Sequence, residues 1–202
     1  MGQDTSSTVH ASDASRDRST AWLENLKRRL TRLVNRRAAE LAMAEVTVLF
    51  ICTGNICRSP TAQGVLEGKV TQAGLAQKVF VDSAGTHGFH VGSPPDNRAQ
   101  LAATRRGFDL SRQRSRRIVV DDFANFDYLI GMDHDNMQKL REACPPAHYD
   151  KLSLFMEFAA DAEVDEVPDP YYGGTHGFER VLDLAEQASD ALLDHIRARL
   201  QG

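Results

Sequence analysis

The stretch CTGNICRSP at residues 52–60 combines residue types that could perform nucleophilic chemistry on a phosphate ester. Cys52 and Arg58 are six positions apart, on a short segment between the apolar run 46–51 and a predicted helix. A cysteine attacks as its thiolate, so negative charge at Cys52 must be stabilised. A helix N-terminus supplies unpaired backbone N–H groups and the positive end of the helix dipole, which favour a thiolate and also bind phosphate oxygens. The stretch therefore predicts a loop in which a thiolate attacks phosphorus.

The other residues of this loop are suited to enclosing an anion. Gly54 permits backbone conformations that are closed to most residues, and Asn55 tolerates a left-handed one, so that successive backbone N–H groups can point inward. Arg58 has a planar guanidinium that can hold two phosphate oxygens at once, and Ser59 can donate a hydrogen bond to the thiolate. The predicted phosphate-binding residues are Thr53, Gly54, Asn55, Ile56, Cys57, Arg58 and Ser59.

Two other interpretations of this loop are weaker. Cys52 and Cys57 could be metal ligands, but a Cys-x4-Cys pair without a matching second pair is a poor zinc motif. The loop also lacks the Gly-Lys-Ser/Thr ending of a nucleotide-binding phosphate loop. We therefore expect neither a metal nor another cofactor at this site.

Four motifs, in this order, resemble those of the low-molecular-weight protein tyrosine phosphatases. They are VLFICTGNICRSPTA at residues 48–62, DSAGTHGFHVG at residues 82–92, FDYLIGMD at residues 126–133 and DPYYGG at residues 169–174. The resemblance covers residues 46–200. It implies an α/β, flavodoxin-like fold and hydrolysis of phosphotyrosine, and of small aryl phosphates, through a phosphocysteine intermediate.

The resemblance also implies a role for each matching residue. Cys52 would be the nucleophile, Arg58 the phosphate clamp and Asp169 the general acid. A departing phenolate is a poor leaving group unless it is protonated, and general acid help is typically worth ~10²–10⁴-fold. The same carboxylate would then activate the water that cleaves the phosphocysteine. The substrate pocket would be lined by Ile56, Phe89, Tyr171 and Tyr172.

Two residues near the nucleophile leave questions open. Relatives often carry Trp where this chain has Phe89, and Phe has less area and no indole N–H, so the peptide preference is open. Cys57 could be an inert loop residue, or it could pair with Cys52 under oxidation and protect it from over-oxidation, as the family resemblance implies. Cys144 lies after a different predicted helix and is expected to be structural.

Three related or alternative functions compete with the phosphatase. Arsenate reductases share the fold and loop but relay a disulfide through a cysteine pair, and beyond Cys57 this chain has only Cys144. Protein arginine phosphatases resemble the family but carry Thr at the position of Ile56 and lack the second tyrosine of the pair Tyr171 and Tyr172. A phosphate-binding module without catalysis would usually lack the nucleophile, the clamp or the acid, and all three are present here.

The composition fits one globular domain in a reducing compartment. The 202 residues are 42% hydrophobic and 26% charged, and no apolar run reaches the ~18 residues of a membrane span. The net charge of −4 argues against general nucleic-acid binding. Three cysteines, one of them in a reactive motif, favour a cytoplasmic location. The expected partners are phosphotyrosine proteins, and the family resemblance suggests a cognate tyrosine autokinase among them.

Strand-like and helix-like segments alternate along the chain, which predicts a parallel sheet with helices on both faces. The predicted strands are residues 46–51, 79–82, 128–132 and 152–155. The predicted helices are residues 60–73, 95–106, 134–142 and 178–200. In such a sheet the ligand lies outside the carboxyl ends of the strands, and Cys52 follows the first strand. The family resemblance adds the expectation of four strands in flavodoxin-like order.

The N-terminal residues 1–44 precede the part that resembles the family. Residues 1–19 are rich in Ser, Thr and Asp and predict a disordered polar tail. Residues 20–44 predict a basic amphipathic helix, because the apolar side chains share one arc of a helical wheel. Between residues 21 and 44 there are six basic and two acidic side chains. Residues 45–202 are the predicted phosphatase domain.

Several roles for this N-terminal extension stay open at the level of sequence. It could pack against the phosphatase domain, pair as a short coiled coil or lie on an anionic membrane surface, which is the least favoured of the three. Met43 lies just before the first predicted strand, where relatives tend to begin, so the extension could also be an inert tail or a misassigned start. The first six residues match the lax N-myristoylation pattern, which is too short to decide the matter.

Overall fold

The computed structural model describes Trp22, Lys27, Thr31 and residues 37–202. The chain divides into two units, Met1–Met43 and Ala44–Gly202. The predicted polar tail at residues 1–19 and most of the predicted amphipathic helix at residues 20–44 lie outside the described residues. Among the described residues, residues 37–43 are helical and no helix is both long and apolar enough to cross a membrane.

A four-stranded parallel sheet forms the centre of the larger unit. Its strands are β1 (Val46–Cys52), β2 (Val79–Gly85), β3 (Tyr128–Gly131) and β4 (Leu152–Leu154). Their order in space is β2-β1-β3-β4, and every pairing is parallel. The predicted parallel α/β sheet is confirmed. Two strands continue further than predicted, so that β1 ends at Cys52 itself and β2 at Gly85.

Both faces of the sheet are covered, which explains why β1 is apolar along nearly its whole length. All seven residues of β1 are buried. Val48 and Phe50 belong to the main apolar cluster, together with residues of the first and last helices. Leu49 and Ile51 are fully buried but lie outside that cluster, because successive side chains of a strand point to opposite faces. A strand covered on both faces reads as a continuous apolar run rather than an alternating one.

Five helices follow the strands within residues 44–202. They are α1 (Arg58–Gln72), α2 (Asn97–Arg105), α3 (Val120–Asn125), α4 (His134–Ala143) and α5 (Gly174–Gln201), with 3-10 turns at Pro146–Lys151 and Phe155–Phe158. The longest, α5, packs along α1 and α2. Its buried side chains include Leu182, Ala185, Ala188, Leu192 and Ile196, on the spacing expected of one helical face.

The helices differ from the prediction in several places, and α2 begins at Asn97, two residues after its predicted start. Helix α1 begins at Arg58, two residues before the predicted start, so that this arginine lies in the first helical turn. Helix α5 begins at Gly174 rather than residue 178, because its first turn, Gly-Thr-His-Gly, contains no apolar residue that could mark it. Helix α3 was not predicted. It has six residues and is started by Asp122, whose carboxylate accepts the Val119 N–H at 2.8 Å.

Gly85 shows how tightly the sheet holds the loop that follows β1. A Cβ at this position would lie 2.9 Å from the Thr53 carbonyl oxygen and 3.0 Å from the His87 carbonyl oxygen. The Gly85 N–H also donates to the Arg116 carbonyl at 2.8 Å. Since all these neighbours are backbone atoms, they cannot move aside as a flexible side chain could.

We expect Gly85→Ala to lower the free energy of unfolding by about 1–3 kcal/mol, the usual cost of overpacking, and to lower phosphatase activity because the loop is displaced. Gly131→Ala is the matched control, since its Cβ would meet the thioether sulfur of Met137 at 2.7 Å, a side chain that can rotate away. Urea unfolding and phosphatase assays measure the two effects. Equal losses of stability and of activity in the two variants would contradict the prediction.

Candidate active site

Cys52 lies at the carboxyl end of β1, and the following loop carries the chain into α1. Its side chain is buried, and the Asn55 N–H donates to the Cys52 Sγ at 3.2 Å. The hydroxyl oxygen of Ser59 lies 3.1 Å from the same sulfur. Two polar groups therefore face the sulfur, and both can donate to a thiolate.

Asn55 gives the loop its curvature. It has a φ of 54° and is the only non-glycine residue with positive φ among those that the structure describes. Its amide nitrogen donates to the hydroxyls of Ser59 and Ser83, both at 2.9 Å, and its amide oxygen accepts the Arg116 N–H at 2.9 Å. These contacts hold a backbone conformation that is otherwise unfavourable for a residue with a Cβ.

Gly54 is needed for space rather than for conformation. The sequence assigned backbone freedom to Gly54 as well, but the positive φ is confined to Asn55 in this loop. A Cβ at Gly54 would lie 3.1 Å from His90 Cδ2. His90 comes from the segment after β2, so the glycine allows that segment to approach the loop.

The segment between α2 and α3 is hydrogen-bonded to the loop that follows Cys52. Ser115 Oγ donates to the Gly54 carbonyl at 3.1 Å, next to the hydrogen bond from the Arg116 N–H to Asn55. The Arg116 guanidinium is itself held by carboxylates of β2 and α3, at 3.0 and 2.8 Å. Sequence reasoning missed Arg116, because it is one of several arginines between residues 112 and 117 and only the fold distinguishes it.

The Arg58 guanidinium is buried among acceptors. Nη1 donates to the Asp133 carboxylate and to the Val167 carbonyl at 3.1 Å, and Nη2 donates to the Asp169 carboxylate at 3.0 Å. Burial by itself would lower the pKa of Arg58, but the negative charges of Cys52, Asp133 and Asp169 outweigh it and raise the pKa. A permanent positive charge is thus held at one end of the site.

Asp133 and Asn136 form a second support that the sequence did not assign. Asp133 caps α4 by accepting the Asn136 N–H at 2.6 Å through one carboxylate oxygen, and it holds Arg58 through the other. The Asn136 side chain donates to the Thr53 hydroxyl at 3.2 Å. The start of α4 is therefore tied both to the clamp and to the loop.

Asp169 lies on the other side of the clamp, with its carboxylate half exposed. One carboxylate oxygen accepts the Tyr171 N–H at 3.0 Å, and the other pairs with Arg58. This half-exposed position at the site allows the carboxyl group to exchange a proton with a bound molecule or with water.

Asp96 and Arg98 join the segment that carries Asp169 and Tyr171 to the loop between β1 and α1. The Asp96 N–H donates to the Ile56 carbonyl at 2.7 Å, and the Asp96 carboxylate pairs with Arg98 at 2.8 Å. Hydrogen bonds from Arg98 hold the pKa of Asp96 below its usual value. Arg98 then donates to the Tyr171 carbonyl at 3.1 Å, with its guanidinium carbon 5.4 Å from the centre of the Tyr171 ring. Neither residue was predicted, since the contacts that join them to the site reach Ile56 and Tyr171, which are distant from them in the chain.

A cleft of about 340 Å³ brings most of the predicted residues together. It is lined by Cys52, Thr53, Gly54, Ile56, Cys57, Arg58, Phe89, His90, Asp169, Tyr171 and Tyr172. The rings of Tyr171 and Tyr172 meet edge to face with centroids 5.0 Å apart. Asn55 and Ser59, which are also among the predicted phosphate-binding residues, lie behind the cleft surface, where their side chains support the loop and the sulfur, the role that the family resemblance implies for them. His90 lines the cleft without having been predicted.

Cys57 is buried near Cys52 and has negatively charged groups around it. Burial raises the pKa of the Cys57 thiol to about 12, and the nearby negative charges of Asp96, Cys52 and Asp169 add to the effect. Cys57 is therefore a protonated thiol at neutral pH. All three cysteines of the chain are free, and Cys144 is buried away from this cleft.

Comparison with known proteins identifies the family. A family model described as low molecular weight phosphotyrosine protein phosphatase matches residues 47–201. The chain belongs to this family. It is 35% identical over 156 residues to the low molecular weight protein-tyrosine-phosphatase YfkJ of Bacillus subtilis, covering 77% of this chain and 99% of that protein.

Other relatives of this phosphatase family agree. The low molecular weight phosphotyrosine protein phosphatase of Homo sapiens is 36% identical over 152 residues, which is 75% of this chain and 96% of the human protein. A crystal structure of protein tyrosine phosphatase from Entamoeba histolytica, with Hepes in the active site, matches with a TM-score of 0.74 and 39% identity, covering 76% of this chain and 97% of that one. The predicted family, enzyme class and tyrosine phosphatase activity are confirmed.

Proposed function

We propose that this phosphatase hydrolyses phosphotyrosine in two steps at the cleft. In the first, the Cys52 thiolate attacks phosphorus, a sulfur–phosphorus bond forms, and the bond from phosphorus to the tyrosine oxygen breaks while protonated Asp169 delivers its proton to that oxygen. In the second, water attacks the phosphocysteine, Asp169 takes a proton from the water, and phosphate and the thiolate are released.

One observation carries the proposal: the sulfur, the guanidinium and the carboxyl group line a single cleft. Arg58 is directed by its two carboxylate partners, so its donors stay in place as charge develops on the phosphate oxygens. Asn55 N–H and Ser59 Oγ face the sulfur and stabilise it as nucleophile and as leaving group.

The shape of the cleft favours an aryl phosphate. Beyond the charged end, its lining consists largely of Ile56, Phe89 and the Tyr171–Tyr172 pair. Aromatic side chains offer flat apolar surfaces against which a phenyl ring can stack. A phosphorylated guanidinium would gain less from this lining, which supports phosphotyrosine over phosphoarginine.

We expect Cys52→Ser to abolish turnover of a phosphotyrosine peptide, and Asp169→Ala to slow it according to the leaving group. Phenyl phosphate should lose about 10²–10⁴-fold in kcat, while p-nitrophenyl phosphate, whose leaving group needs less protonation, should lose much less. Steady-state kinetics on both esters measure the difference. Retained activity in Cys52→Ser would refute the covalent mechanism, and equal losses on both esters would remove Asp169 as the acid.

We further propose that Arg98 is a positioning residue, which acts through the Tyr171 backbone to fix the place of Asp169. Its hydrogen bond to the Tyr171 carbonyl and its ion pair with Asp96 support this role. Arg98→Ala should therefore lower kcat for phenyl phosphate by about tenfold and lower it less for p-nitrophenyl phosphate, as expected when a proton donor is misplaced.

The control for Arg98 is Arg105→Ala, on the same helix and paired at the surface with Glu179 at 3.4 Å. This variant should leave the ratio of the kcat values for the two esters unchanged. If Arg98 had a merely structural role, Arg98→Ala would lower kcat equally for both esters. That result would contradict the positioning role.

We also propose that Cys57 protects Cys52 from irreversible oxidation. Peroxide converts the Cys52 thiolate to a sulfenic acid, and the Cys57 thiol then displaces water to form a disulfide, which a dithiol reductant returns to two thiols. Oxidation of Cys52 removes its negative charge, which is one of the causes that raise the pKa of Cys57, so the second thiol becomes easier to ionise after the first has reacted.

After treatment with hydrogen peroxide and then dithiothreitol, the wild type should regain most of its starting activity. Cys57→Ser should regain far less, because its sulfenic acid continues to the sulfinic acid. Cys144→Ser is the control and should recover as the wild type does. Peptide mapping without reduction detects the Cys52–Cys57 disulfide, and full recovery in Cys57→Ser would contradict the proposal.

The physiological setting follows from the same chemistry. A mechanism that needs a reduced thiol, in a chain whose three cysteines are all free, supports a reducing compartment such as the cytoplasm. Phosphotyrosine proteins are the substrates, and we propose a tyrosine autokinase as one of them on the family resemblance.

A further inference from the structure

A second cleft, of about 640 Å³, adjoins the active-site cleft, and Phe89 lines both of them. Its edge is formed by the segment after β2, which is hydrogen-bonded directly to the catalytic loop. The Thr86 N–H donates to the Cys52 carbonyl at 2.9 Å, and the His87 N–H donates to the Thr53 carbonyl at 3.0 Å. We call this second cleft the flanking groove.

Apolar side chains are exposed along the flanking groove. Phe89 is 82% exposed, Val120 65% and Val119 54%, and all three line it. The Phe89 ring stacks on His87 with centroids 5.4 Å apart, which holds it in position between the two clefts. Contiguous exposed apolar surface beside a catalytic site is typical of a surface that binds part of a partner.

Positive charge borders the same groove. Arg117 and Lys139 both line it, and within the part of the chain that the structure describes neither has a carboxylate within ion-pairing distance. Neighbouring arginines differ, since Arg98 and Arg116 are both paired with aspartates. The one acid of the groove, Glu142, already accepts a hydrogen bond from Gln138 at 2.9 Å. The groove therefore has a net positive border in a chain whose net charge is −4.

We propose that the flanking groove binds the segment of a protein substrate next to its phosphotyrosine, and that it selects segments with acidic and apolar side chains. This inference rests on the proposed function, because the phosphotyrosine must occupy the first cleft for its neighbours to reach the second across Phe89. Acidic side chains pair with Arg117 and Lys139, and apolar ones cover Val119 and Val120. The N-terminal segment of the chain itself is a poorer match, since residues 21–44 carry six basic and two acidic side chains.

Two pairs of phosphopeptides test the inference on the full chain. Each pair shares one phosphotyrosine and differs in carrying Glu or Lys at the flanking positions, on the N-terminal side in one pair and on the C-terminal side in the other. The wild type should prefer Glu to Lys in at least one pair by about fivefold or more in kcat/KM, as two partly exposed ion pairs would give. The preference should shrink as salt is added.

The double variant R117E/K139E should lose or reverse this preference while keeping the wild-type kcat/KM for p-nitrophenyl phosphate, which does not reach the groove. The matched control is R112E/R141E. It makes the same change in charge on the same two segments, but at exposed positions outside the groove. This control variant should keep most of the preference for Glu over Lys peptides.

Three results would overturn the inference: equal rates for Glu and Lys peptides, a preference that survives in R117E/K139E, or an equal loss in the control variant. If a second copy of the chain covers the groove instead, R117E/K139E will change the mass in light scattering and leave the peptide preference intact. Failure of the proposed function looks different, because the wild type would then hydrolyse neither the phosphopeptides nor p-nitrophenyl phosphate.

Discussion

The left-handed backbone of Asn55 is the constraint on which the catalytic loop depends. It turns the loop so that an N–H group faces the Cys52 sulfur, and it would be unfavourable without outside support. That support comes from β2 through Ser83, from α1 through Ser59 and from the Arg116 backbone. Because these partners belong to three different elements, the loop keeps its shape only when the sheet and its helices are assembled around it. The surroundings of Cys52 thus depend on the whole fold.

The buried Arg58 also depends on partners from several elements of the fold. A buried guanidinium is costly unless its donors are satisfied, and here they meet Asp133 at the start of α4 and Asp169 on the loop before α5. The two carboxylates have different environments, since Asp133 also caps a helix whereas Asp169 stays half exposed. Asp133 is therefore held between a helix start and the arginine, whereas Asp169 pairs with the same arginine at the edge of the cleft.

In the proposed mode of peptide recognition, Phe89 has a central place. It lines both the active-site cleft and the flanking groove, so its phenyl ring forms the boundary between them. The segment that carries Phe89 is hydrogen-bonded to the catalytic loop, so binding in the groove and chemistry in the cleft share a backbone. In the proposed function, this connection would link the residues around a phosphotyrosine to the loop that holds its phosphate.

The sequence by itself determined the family, the parallel sheet and most residues of the cleft, because these depend on apolar runs and on short motifs that can each be recognised locally in the chain. It left α3 and the start of α5 unpredicted, since both rest on caps and glycines rather than on apolar periodicity. Only the tertiary structure decided the roles of Arg116, Arg98 and Asp133 and the existence of the flanking groove. The contacts that tie these residues to the site reach parts of the chain tens of residues away, and no local pattern distinguishes a buried, paired arginine from an exposed one.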